Sequence, residues 1–139
     1  YDAYRESRHR PQRDVAEIER REAEDIYREE WHAARCDEWP AIVAFVVFDT
    51  AVQRGARRAI MDLQEAAGAA ADGMVGPKTR AAVARLDPHR LAERLLILRS
   101  DHYVERCREQ LDQLVFLRGW MRRVVRLAFH AGRQAETAP

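Results

Sequence analysis

Residues 63–79 read LQEAAGAAADGMVGPKT and combine several signals for a sharp change of chain direction. Gly68 is placed to cap one helix, Asp72-Gly73 is a strong turn dipeptide, and Pro77 suits the first position of a new helix. Gly73 tolerates the positive φ of such a turn, and the amide of Gln64 lies where it can bond to turn carbonyls. This stretch therefore predicts two helices joined at a tight corner.

Helical spacing of apolar residues continues on both sides of this corner, while the alternation typical of strands is nearly absent. The spacing predicts one or two helices within 14–35, and single helices over 40–54, 56–67, 77–86, 88–110 and about 117–132. Residues 42–52 are apolar on almost every side, so the helix over 40–54 is predicted to be central and buried, with Gly55 ending it. Residues 1–13 are polar and predict a loose lead-in. The predicted fold class is all-α.

Composition excludes several classes of protein. The chain has 139 residues, enough for one domain with a core, and a net charge of +1 that gives no global reason to expect nucleic acid or an anionic membrane. No apolar run approaches the ~20 residues of a membrane span, so membrane insertion is not expected. The five histidines and two cysteines lack metal-site spacing, and phosphate-binding loops are missing, so we expect no metal and no cofactor. Cys36 and Cys107 are expected to be free thiols, with a disulfide as the alternative.

Five segments occur in an order that resembles a known family: AEDIYREEW at 23–31, CDEWP at 36–40, VFDTAVQRGARRAIMDLQ at 47–64, DGMVGPKT at 72–79 and FLRGWMRRV at 116–124. This order is similar to glycoside hydrolase family 108, the endolysin-type N-acetylmuramidases, with their C-terminal predicted peptidoglycan-binding domain. The resemblance covers roughly residues 14–130. It implies a lysozyme-like helical fold. It also implies cleavage of the peptidoglycan glycan strand at the bond that follows N-acetylmuramic acid.

The resemblance also implies a division of the chain. Residues 1–54 would be the remaining part of a lysozyme-like catalytic domain, and residues 55–139 a peptidoglycan-binding helical region packed with it as one unit. The expected place of action is the cell wall or periplasm, with a bacterial or phage origin. The family's catalytic glutamate lies in a Glu-Gly-Gly motif that this sequence lacks. We therefore expect either that this glutamate precedes Tyr1 or that this homologue lacks the catalytic element, and we assign no catalytic residue.

Six residues are candidate contacts to the glycan: Tyr27, Trp31, Asp49, Gln53, Asp72 and Thr79. Aromatic faces stack on sugars, although aromatic residues four positions apart are also typical of a core. Asp49, inside an apolar helix, is the best candidate for a proton donor, and pairing with an arginine is the alternative. Gln53 replaces the asparagine that the family usually has. Trp39 lies in a connector and is expected to be partly exposed.

Peptidoglycan glycan strands are thus the predicted partner, and hydrolysis of peptidoglycan is the predicted function. The main alternative is a non-catalytic component of a phage, gene-transfer particle or secretion system that binds the wall without cutting it. A second alternative is a helical interaction domain that never contacts the wall.

Overall fold

The computed structural model describes the backbone of residues 1–137 and the side chains of residues 1–133. Seven α-helices account for most of it: α1 Asp2–Ser7, α2 Arg20–Ala33, α3 Ala41–Arg54, α4 Ala56–Ala67, α5 Pro77–Ala84, α6 Pro88–Glu109 and α7 Leu114–Thr137. Three short 3₁₀ turns lie between them at Val15–Glu17, Cys36–Glu38 and Leu111–Gln113. The described residues contain no strand, and the predicted all-α class is confirmed.

Helix α3 forms the centre of the core. It packs against α2, α4, α6 and α7, and Val43, Val46 and Val47 are completely buried. A helix that is apolar on nearly every side gains most when other helices surround it, which explains its central position. Gly55 has a φ of 84° and is the single residue between α3 and α4, so one helix follows the other without a loop. The predicted central helix and its glycine end are confirmed.

The corner between α4 and α5 is built around one buried amide. Gln64 is 1% exposed, its Oε1 accepts from Gly73 N at 2.9 Å, and its Nε2 lies 3.0 Å from Met74 O. Gly68 and Gly73 have φ values of 74° and 76°, and Pro77 occupies the first turn of α5. The predicted corner is confirmed, with Gln64 bonding to both sides of the turn.

The prediction of a loose N-terminal lead-in is wrong. Residues 2–7 form α1, and Arg5 and Arg13 reach Glu22 of α2 at 2.6 and 2.7 Å. Desolvation by burial raises the pKa of Glu22, but hydrogen bonds from the Tyr1 hydroxyl and the Glu19 N–H, together with the charges of Arg13 and Arg5, lower it to about 2. The buried carboxylate of Glu22 forms ion pairs with several arginines of residues 1–13 and so holds this segment against α2. The polar composition of the segment did not indicate these pairs.

Two further details differ from expectation. Trp39 is 7% exposed, because the connector folds its ring into the core and its indole N–H donates to Ala34 O at 3.2 Å. Helix α7 continues to Thr137, beyond the predicted end near Gly132.

Cys36 and Cys107 are both buried and free, and burial raises the pKa of the Cys36 thiol to about 12.

Candidate functional site

Two surface depressions meet at Phe45 and run along one side of α3. One encloses about 420 Å³ next to Trp31, Asp37 and Trp39, and the other encloses about 700 Å³ next to Asp49, Gln53 and Trp120. Positions 41, 45, 49 and 53 are four residues apart and so share one face of the helix, which forms the floor. We call the combined depression the α3 groove. With a rise of about 1.5 Å per residue, this floor is about 18 Å long.

Asp49 lies in the middle of the groove and is fully engaged by cations. Its Oδ2 accepts from Arg99 and, at 2.9 Å, from the amide of Gln53, and its Oδ1 accepts from Arg123 Nη2 at 2.6 Å. Arg99 is 2% exposed and also donates to Thr50 Oγ1 and to Val46 O. Of the two interpretations of Asp49, proton donor or partner of an arginine, the structure agrees with the second, because both carboxylate oxygens already accept hydrogen bonds.

The end of the groove near α7 combines an aromatic face with a fixed amide. Trp120 stacks on Tyr103 with ring centres 4.8 Å apart, and the Tyr103 hydroxyl donates to Gln53 Oε1 at 2.9 Å. Hydrogen bonds to Asp49 and from Tyr103 thus hold Gln53, although its side chain is exposed to the groove. Arg123 is held by its hydrogen bond to Asp49, which raises the pKa of the guanidinium.

The opposite end carries the two aromatic candidates of α2. Tyr27 is 51% exposed, and Trp31 donates its indole N–H to Asp37 Oδ1 at 2.7 Å. Both rings meet Phe48 edge-on, at centroid distances of 6.3 and 5.3 Å. Trp31 lines the groove directly, while Tyr27 is not among its lining residues and contacts Phe48. The structure therefore brings Trp31, Asp49 and Gln53 into one groove, with Tyr27 beside it.

Asp72 and Thr79 lie elsewhere, at a depression of about 840 Å³ beside the α4–α5 corner. Thr79 is 4% exposed, and its hydroxyl accepts from Gln64 Nε2 at 3.0 Å. Asp72 accepts from Met74 N and from Gln64 Nε2, both at 2.8 Å, and these bonds lower its pKa. Both side chains stabilise the turn. Their role as glycan contacts stays a prediction.

Three residues that hold the groove side chains in place were not singled out from the sequence: Arg123, which lines the groove, and the buried Arg99 and Tyr103. They lie 50 to 74 residues beyond their partners on α3, so only the packing of α6 and α7 brings them there. The available signal was helical spacing, which places Arg99 and Tyr103 four residues apart on one face. Among the described residues, no three or more His, Cys, Asp or Glu side chains are arranged to hold a metal ion. Nor does any described helix combine the length and apolarity needed to cross a membrane.

Comparison with known proteins relates the chain to one family. The model of the family described as Glycosyl hydrolase 108 matches residues 1–55, and that of the Predicted Peptidoglycan domain matches residues 58–125. A solved structure titled "Structure of Brucella abortus SagA" is 30% identical in sequence and superposes with a TM-score of 0.81. The match covers 94% of this chain and 75% of that chain. A sequence search among curated proteins gave no match.

These similarities confirm the resemblance seen in the sequence and support a role in peptidoglycan hydrolysis or binding. They also agree with the predicted all-α, lysozyme-like class. The chain belongs to the glycosyl hydrolase 108 family and carries a predicted peptidoglycan domain in its C-terminal half.

Proposed function

We propose that the protein acts on peptidoglycan as a hydrolase of the muramidase type, and that the α3 groove holds the glycan strand. One observation supports this most: indole rings at both ends, Trp31 and Trp120, frame a polar centre formed by Asp49 and Gln53. Apolar ring faces with a few fixed polar groups between them are typical of sites that bind sugars. Tyr27 is proposed as an additional contact beyond Phe48.

A second candidate, binding without cleavage, is favoured by the state of the carboxylates in the groove. Glycoside hydrolysis needs a carboxylic acid that donates a proton to the leaving oxygen. Of the described residues, Asp37 and Asp49 are the carboxylates that line the groove, and both already accept hydrogen bonds. Asp37 accepts from Trp31 and faces His32 at 3.4 Å, while Asp49 accepts from two arginines. Neither carboxylate therefore has an oxygen without a polar partner.

The division of the chain remains part of the proposal. We propose that residues 1–54 and 55–139 are two functional parts packed as one unit, which is supported by the contacts of α3 with α4, α6 and α7. The proposed place of action is the bacterial cell wall or periplasm. Asp72 and Thr79 would contribute by keeping the α4–α5 corner in shape.

Two assays on purified peptidoglycan separate the candidates. Co-sedimentation measures binding, and release of new reducing ends measures cleavage of the glycan. Both assays are run on this chain and on a version extended upstream of Tyr1. Binding with release by either supports the hydrolase, binding without release by both supports the second candidate, and absence of binding contradicts both. Trp120→Ala is expected to weaken binding on the order of tenfold, since an aromatic face is lost. Phe129→Ala is the matched control, because Phe129 is an exposed aromatic residue of the same helix outside the groove.

A further inference from the structure

Helix α7 exposes large apolar side chains on the face turned away from the core. Val115, Val125 and Phe129 are 75%, 64% and 73% exposed. Together with Arg118 and Arg122 they follow one another at intervals of three or four residues, so all five lie along a single line of the helix. We call this line the α7 ridge. From Val115 to Phe129 it extends about 21 Å at about 1.5 Å per residue.

The charge of this helix differs from that of the whole chain. Residues 114–133 contain five arginines and no acidic residue, although the chain as a whole has a net charge of only +1. Arg118, Arg122 and Arg126 are exposed, and none of them has an ion-pair partner among the side chains that the structure describes. Arg123, by contrast, is paired with Asp49 in the α3 groove. The ridge is therefore a cationic surface with apolar side chains protruding from it.

Neighbouring surface enlarges this apolar area. A cleft of about 480 Å³ between α6 and α7 is lined mostly by apolar residues, including Ile97 and Val125. Leu111 and Leu114, 72% and 52% exposed, lie where α7 begins. Val125 belongs to both the cleft and the ridge, so exposed apolar surface extends from one to the other, and such a patch marks a face that binds something.

The charge pattern of the α7 ridge indicates which kind of partner binds it. A second copy of this face would bring arginines against arginines, which is unfavourable. Protruding Val and Phe side chains contribute little to binding a nucleic acid backbone, which depends on charge. A helix with Arg beside exposed Val and Phe fits an anionic lipid surface, where guanidinium groups contact phosphates and apolar side chains enter the interface. We propose that the α7 ridge binds the surface of an anionic phospholipid bilayer, with α7 lying parallel to it.

Vesicle co-sedimentation of the full chain tests this. With vesicles of phosphatidylglycerol and phosphatidylethanolamine we expect binding that weakens at high salt, and no binding to phosphatidylcholine vesicles. Each arginine near an anionic surface contributes roughly fivefold to affinity, so the triple variant Arg118→Gln, Arg122→Gln, Arg126→Gln is expected to lose on the order of 100-fold. Phe129→Ser with Val125→Ser is expected to lose at least about tenfold, because apolar burial is removed.

The double variant Arg21→Gln, Arg90→Gln is the matched control, because it removes two exposed arginines on other helices. It is expected to bind vesicles like the unmodified chain. Equal binding to anionic and phosphatidylcholine vesicles, or equal losses in the control and the triple variant, would overturn the proposal. So would a triple variant that keeps vesicle binding. Arg122 and Arg126 also line the α3 groove, whereas Val125 and Phe129 do not. Peptidoglycan binding of the Phe129→Ser, Val125→Ser variant is therefore measured in parallel, so failure at the bilayer is distinguishable from failure at the α3 groove.

Discussion

Replacement of Gln64 by leucine isolates the contribution of the α4–α5 corner to stability. The side chain is 1% exposed and its two N–H hydrogens are shared by Asp72 Oδ1, Met74 O and Thr79 Oγ1, at 2.8 to 3.0 Å. Its oxygen accepts from Gly73 N at 2.9 Å. Leucine keeps a similar volume and removes every one of these bonds.

The expected cost follows from the number and kind of these bonds. Two N–H hydrogens and one oxygen make three full bonds at a time: one to a carboxylate at about 2 kcal/mol and two neutral bonds at about 1 kcal/mol each, which gives about 4 kcal/mol. Met74 is 70% exposed, so water can partly replace the amide there, and the expected loss is about 3 kcal/mol. For a chain of this size that loss lowers the melting temperature by about 10 °C.

Thermal and denaturant unfolding of Gln64→Leu measure this loss, with Gln12→Leu as the control, since Gln12 is exposed. The control is expected to change the free energy of unfolding by less than about 0.5 kcal/mol. A loss below about 1 kcal/mol for Gln64→Leu, with folding still cooperative, would refute the idea that this amide holds the corner.

Three other variants test separate parts of the structure. Gly73→Val should destabilise the fold by about 1–2 kcal/mol, because its φ of 76° disfavours a β-branched residue. Gly76→Ala, with open space around its Cβ and no positive φ, should be near neutral in the same unfolding experiment. Arg99→Met should lower the free energy of unfolding by about 3 kcal/mol, because it leaves Asp49 and Thr50 without their buried partner. Arg123→Gln, at a half-exposed position, should lower it by less than about 1 kcal/mol. Equal losses in the two variants would contradict the described network. The pKa of Glu22 is lowered from 4.5 to about 2, so its contribution is present above pH 4.5 and is lost as the pH falls toward 2. Limited proteolysis of residues 1–13 should therefore become faster over that range in the unmodified chain and change less in Glu22→Gln, and parallel profiles would contradict this.

The turns at glycines and the start of α6 were predictable from the sequence because their causes are local. Gly55, Gly68 and Gly73 all have positive φ, and Asp87 accepts from Arg90 N at the start of α6, as its position before Pro88 predicts. The buried position of α3 followed in the same way, because a helix that is apolar on nearly every side has no face suited to water.

The polar networks were not predictable, because their partners are distant in sequence. Arg5 and Glu22 are 17 residues apart and Asp49 and Arg123 are 74 apart. In a chain with so many arginines, nothing local shows which one is paired with a given carboxylate. Trp39 was misplaced for a related reason, because its burial depends on how the connector packs against α3.

Binding of the protein to purified peptidoglycan, compared between Trp120→Ala and Phe129→Ala, tests the central claim most directly. If the α3 groove holds the glycan strand, the unmodified chain and Phe129→Ala sediment with peptidoglycan to the same extent, and Trp120→Ala, with an unchanged helical spectrum, binds about tenfold more weakly. Equal binding by all three proteins would show that the glycan does not lie in this groove.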